Sequence, residues 1–73
     1  MIVFSSHASL QAARRKISRL MIIETVKCPE ETIQSFRNRK LRRRRLDGKI
    51  LEVVTITEDS DIIIVTQYWL DED

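Results

Sequence analysis

The chain has 73 residues, 42% of them hydrophobic and 33% charged, and its net charge is only +2. This balance excludes a disordered polyelectrolyte, and the length allows a single domain, residues 1–73, with a thin core. No apolar run approaches the ~20 residues of a membrane span. The first residues lack a secretory signal pattern, and the lone Cys28 excludes an internal disulfide, so a cytoplasmic location is expected.

Met1 to Phe4 reads as a short first strand. Ser5 and Ser6 offer an N-cap for a helix over His7–Arg15, rich in alanine and weak in apolar face. Ser18 caps a second helix, with Ile17 and Ile22 at the two positions of a hydrophobic staple. Leu20, Ile23 and Val26 follow, and Pro29 ends the helix because the residue before a proline is pushed away from helical angles. Cys28, beside it, is expected to be a small buried hydrophobe. Beyond Pro29 the period changes to two. Thr32–Arg37, Lys40–Leu46, Ile50–Thr57 and Ile62–Leu70 read as strands, and Asp47-Gly48 is a hairpin turn signal. The predicted class is α+β, order βααββββ, with both helices on one face of an antiparallel sheet.

Basic charge is densest at and just before the Lys40–Leu46 strand. Seven of the nine residues from Arg37 to Arg45 are basic. With a two-residue Asp47-Gly48 turn, Leu46 pairs with Lys49, Arg44 with Leu51, Arg43 with Glu52 and Arg42 with Val53. With a two-residue Asp59-Ser60 turn, Thr55 pairs with Ile64, Val53 with Thr66 and Leu51 with Tyr68. Alternation then separates two faces. Leu41, Ile50, Val54, Ile56, Ile63, Val65 and Trp69 form the more apolar set, expected under the helices and crossed by the row Arg43, Glu52 and Gln67. Arg42, Arg44, Leu51, Val53, Thr55, Ile62, Ile64, Thr66 and Tyr68 form an expected open face. Arg43 is expected to pair with Glu52. A longer second turn would turn Tyr68 to the opposite face.

His7, Ala8, Arg15, Ile17 and Ser18 give the pattern H-A-x(6)-R-x-I-S, and Val65, Thr66 and Tyr68 give V-T-x-Y near the end. The combination resembles a family of small prokaryotic domains with a His-Ala helix and a V-T-x-Y last strand, itself similar to the RelE-type toxins of toxin–antitoxin pairs, including the BrnT branch. The family often has Arg or Lys where this chain has Gln11, and favours Gly where it has Lys16. RelE-type toxins cleave RNA with basic sheet residues and often a C-terminal tyrosine. The resemblance therefore implies a RelE-toxin-like fold, a catalytic Tyr68 and an antitoxin-like protein partner.

Two functional readings follow. In the first, Arg39, Lys40, Arg42 and Arg44 bind RNA or another polyanion, since a dense basic run gains free energy by releasing counterions from the bound strand. Tyr68, with His7 as an acid or base, would make this a metal-independent ribonuclease. In the second, the protein is not catalytic and dimerises or binds an acidic partner chain. The sequence contains no metal-ligand spacing and no phosphate-binding glycine loop, so no cofactor is expected. Asp71, Glu72 and Asp73 read as a solvated end.

Overall fold

The computed structural model describes residues 1–70, so the acidic triplet Asp71, Glu72 and Asp73 lies outside the described residues. The expected elements form in the expected order: β1 (Ile2–Phe4), α1 (Ser6–Arg15), α2 (Arg19–Lys27), β2 (Glu31–Gln34), β3 (Arg39–Leu46), β4 (Lys49–Glu58) and β5 (Asp61–Trp69). Ser5 caps α1 by accepting the Ala8 N–H, and Ser18 caps α2 by accepting the Met21 N–H. Each hydroxyl satisfies one of the donors that a helix start leaves without a partner.

The five strands make one sheet in the order β1-β5-β4-β3-β2. Three successive hairpins make β2 to β5 antiparallel, but β1 runs parallel to β5, so the sheet is mixed and not purely antiparallel. A hairpin forces its two strands to run in opposite directions. β1 has no hairpin: two helices separate it from β2, and the chain crosses the sheet between them. Ser5 N–H donates to the Ile64 carbonyl and Ile62 N–H to the Met1 carbonyl, closing both ends of the parallel pair.

Both helices cover one face. Ala8 and Ala12 are buried under α1, which lies on β5, while Ile22 and Val26 hold α2 over β3 and β4. The core beneath contains Leu51, Val53 and Ile64, with Ile2, Phe4, Ile62 and Trp69 packed around it. Alanine on α1 lets the helix approach the sheet closely. The core face is therefore the Leu51–Val53–Thr55 side, and the expected assignment of the faces is reversed for the residues before the end of β5, while Gln67 and Trp69 do face the helices as expected. The helix-free side carries Leu41, Val54, Ile56 and Ile63. Counting apolar residues favoured that side, but it does not register the helix carbonyls that need donors. Arg42 and Arg44 supply those donors from the core side.

α1 ends at Lys16, which holds a left-handed conformation (φ 57°, ψ 43°) and donates to the Ala12 and Ala13 carbonyls. A Cβ there opposes the left-handed region, so Lys16→Gly should raise the unfolding free energy by about 1 kcal/mol in urea titrations. An unchanged or lower midpoint would show that the lysine stem contributes packing that offsets the strain.

Candidate functional site

The β3–β4 hairpin has the predicted register: Leu46 faces Lys49, Arg44 Leu51, Arg43 Glu52 and Arg42 Val53. Asp47 (φ 53°) and Gly48 (φ 81°) both sit at positive φ, as a two-residue type I′ turn requires. The second turn is also two residues long, with Glu58 opposite Asp61 and Thr55 opposite Ile64. Beyond that point the ladder slips. Val54 faces Thr66, leaving Val65 as an extra residue, so Val53 faces Gln67, Glu52 faces Tyr68 and Leu51 faces Trp69. One inserted residue reverses every later side chain in a strand. Tyr68 therefore leaves the face of Arg42 and Arg44, and the expected grouping of these three is corrected.

The four central arginines divide by face. Arg42 points under the helices, where Nε donates to the Thr55 hydroxyl (3.1 Å) and Nη1 to the Val26 carbonyl (3.2 Å). Arg44 Nη1 donates to the Cys28 carbonyl (2.9 Å), and its Nε lies 3.6 Å from a Glu24 carboxylate oxygen. Both guanidinium groups thus close the C-terminal end of α2, where free carbonyls and the helix dipole favour positive charge. Cys28 is exposed, contrary to expectation, because the chain turns away from the core after Lys27. Arg45 is exposed, and its N–H meets a Glu30 carboxylate oxygen at 3.4 Å.

Arg43 lies on the helix-free face and forms the expected cross-strand pair. Its Nε donates to Glu52 Oε1 at 2.6 Å, and its Nη1 reaches Glu31 Oε1 at 3.3 Å. The Tyr68 hydroxyl donates to the other Glu52 oxygen. Glu52 is only 3% exposed although no helix covers it, because Arg43 and Tyr68 roof it from either side. Arg43, Glu52 and Tyr68 therefore form one polar line across β3, β4 and β5. Burial, and then the bond to the Glu52 carboxylate, push the Tyr68 phenol up to about 12. The hydrogen bond to Glu52 is the main cause raising Arg43 above its ordinary value. Beside this line, where β2 stops and β3 continues, a cleft of about 190 Å³ is lined by Glu30, Glu31, Arg43, Arg44, Arg45 and Ile50.

The other candidate residues lie elsewhere. Arg39 and Lys40 start β3 at the far end of the strand. His7 is exposed on α1, so the sheet separates it from Tyr68. Glu52 was legible only as the partner of Arg43; its burial under Tyr68 depends on the slip at Val65. Among the described residues no group of three or more His, Cys, Asp or Glu could hold a metal ion, and no helix is long and apolar enough to cross a membrane.

A two-helix layer over one face of a mixed five-stranded sheet, with a carboxylate–guanidinium–phenol line on the bare face, places the chain among small α+β domains. More narrowly, it belongs to the family described as a domain of unknown function (DUF4258), whose model matches residues 4–69. No curated protein and no solved structure matches the chain.

Two measurements test this geometry. Tyr68 is the sole tyrosine, so an absorbance titration of tyrosinate should give a midpoint near 12 in place of 10. Glu52→Gln should lower it only part of the way, because burial is the larger cause. The folded state holds this proton more tightly than the unfolded chain. Its contribution to stability is therefore complete below pH 10 and is lost as pH rises toward 12. A native midpoint at the ordinary value would rule out the Glu52–Tyr68 bond. In a second test, Arg42→Ala should cost about 1–3 kcal/mol in unfolding free energy, since it strips donors from a buried hydroxyl and a helix carbonyl. Arg45→Ala should stay within about 0.5 kcal/mol. Equal effects would remove the division of the arginines by face.

Proposed function

We propose that this is a RelE-like, toxin-type domain of the prokaryotic cytoplasm that binds RNA and cleaves it without a metal. The observation that carries the reading is the Arg43–Glu52–Tyr68 line on the helix-free face, lying across the basic β3 strand. Phosphate contacts fall to Arg43 and to the outlying Arg39 and Arg45, which share its face, whereas Lys40 alternates onto the Arg42 side of the sheet. Arg42 and Arg44, engaged at the end of α2, act by adding to the local positive potential.

Cleavage of RNA through its own 2′-hydroxyl needs a base, an acid and a cation. Glu52 takes the 2′-hydroxyl proton as the 2′-oxygen bonds to phosphorus. The bond from phosphorus to the 5′-oxygen breaks, and the leaving oxygen takes the Tyr68 proton. The phenol carries its proton at neutral pH, so Tyr68 is available as the acid and not as the base. Arg43 holds the phosphate oxygens through the guanidinium edge not used by Glu52, where charge accumulates in the transition state. Both Glu52 oxygens are occupied, so the ribose reaches the carboxylate by displacing the phenol from it. His7 stands across the sheet and takes no part in this scheme.

The second reading is a non-catalytic interaction domain that dimerises or binds an acidic chain such as an antitoxin. It draws support from Leu41, Ile56 and Ile63, which stand half-buried on the face without a covering helix.

RNA incubated with the protein in EDTA discriminates between them. Cleavage should persist in EDTA and fall at least about a hundredfold in Glu52→Gln and in Tyr68→Phe. Absence of cleavage by the wild type removes the enzyme reading, while steeply salt-dependent RNA binding would preserve the binding half. A stable dimer with no RNA affinity, seen by size-exclusion chromatography at low and high salt, favours the second reading.

A further inference from the structure

Like the Asp47-Gly48 turn, the β2–β3 turn has positive φ at both central positions, but it contains no glycine. Phe36 to Arg39 forms a four-residue turn closed by the Arg39 N–H on the Phe36 carbonyl (3.3 Å), inside a Ser35 N–H to Arg39 carbonyl bond (2.8 Å). Its two central residues, Arg37 (φ 60°) and Asn38 (φ 61°), both sit in the left-handed region. Asparagine tolerates that region, whereas arginine enters it against its Cβ. Gln34 Nε2 bridges the Ser35 and Arg39 carbonyls at 3.3 Å each, which ties the turn to its own strands. A tight hairpin turn calls for positive φ at both central positions, and the Gln34 bridge helps to hold it.

The turn presents an aromatic ring to solvent. Phe36 is 76% exposed. The other aromatic side chains all have partners: Phe4 packs on the core with the Arg19 guanidinium 4.0 Å over its ring, Tyr68 bonds Glu52, and Trp69 packs on the core with Lys49 over it. Phe36 is followed by Arg37, Asn38, Arg39 and Lys40, with no acidic residue between Ser35 and Leu46. An exposed ring set among cations matches the chemistry of unpaired nucleotides, whose bases stack on the ring while their phosphates meet the arginines.

We propose that the Phe36 turn is a stacking platform for one unpaired base of a single-stranded RNA, with Arg37 and Arg39 on the flanking phosphates. The inference rests on the RNA reading above and specifies its substrate class as single-stranded. The strand enters over the turn and runs along β3 toward Arg43. A duplex hides its base faces and engages only the cations.

The test uses fluorescence anisotropy with a short, unstructured, labelled RNA carrying 2′-O-methyl groups so that it cannot be cleaved. Matched duplex and abasic strands are titrated alongside. Phe36→Ala should weaken single-strand binding about tenfold and leave duplex binding within about twofold, and Phe36→Trp should restore it. The wild type should bind the abasic strand about tenfold more weakly than the base-bearing strand, a comparison that requires no variant to fold. If the wild type binds the single strand, and Phe36→Ala and the abasic strand are both without effect, the platform is overturned and the RNA reading stands. Equal losses on single strand and duplex also overturn it. No binding of any RNA by the wild type overturns both. A dimer that Phe36→Ala converts to monomer, with RNA affinity unchanged, assigns the turn to self-association and overturns the platform.

Discussion

The arrangement of the candidate site depends on the single extra residue at Val65. Its carbonyl leaves the β4–β5 ladder and is met by the Ser5 hydroxyl at 3.2 Å, the same hydroxyl that caps α1. Two residues further on, Gln67 turns inward and its Nε2 donates to the Ala8 carbonyl (2.9 Å), while its own carbonyl accepts from Arg15 (2.7 Å). The bulge is thus clamped by the helix above it. Tyr68 turns outward as a consequence and finds Glu52. Without the slip, Gln67 would stand opposite Glu52 on the bare face and the phenol would enter the core.

Burial of Glu52 is the second constraint. A carboxylate withdrawn from water is costly unless both oxygens are engaged. Here a guanidinium takes one oxygen and a phenol the other, and neither partner comes from a helix. A charged group therefore lies enclosed on a face that has no second layer. The same economy governs Arg42 and Arg44, whose charge meets the carbonyls at the end of α2. The basic run thus serves two purposes from one strand, closing a helix from its inner face and carrying a charged line on its outer face.

Much of the fold was legible in local chemistry. Ser5 and Ser18 mark helix starts, and Pro29 marks a helix end. Asp47-Gly48 sets the β3–β4 register residue by residue, so the Arg43–Glu52 pair follows from the spacing of residues around that turn. The parallel pairing of β1 was not legible, because no turn specifies the direction of a strand that is separated from its neighbour by most of the chain. The face of the core was misread because Leu41, Val54 and Ile56 outweigh Leu51, Val53 and Thr55 in apolar character. What decides between them is the donor requirement of helix carbonyls and the fit of small alanines.

By itself the sequence determined the elements, their order and the alternation of the basic strand, because caps, turns and strand period are set by neighbours within a few residues. Only the tertiary structure decided which arginines face solvent and where the tyrosine points. The first outcome turns on Arg42 and Arg44 meeting the Val26 and Cys28 carbonyls, and the second on Ser5 meeting Val65 and Ala8 meeting Gln67, residues some 60 positions apart. No local pattern encodes a bulge whose stabilising partner lies at the other end of the chain.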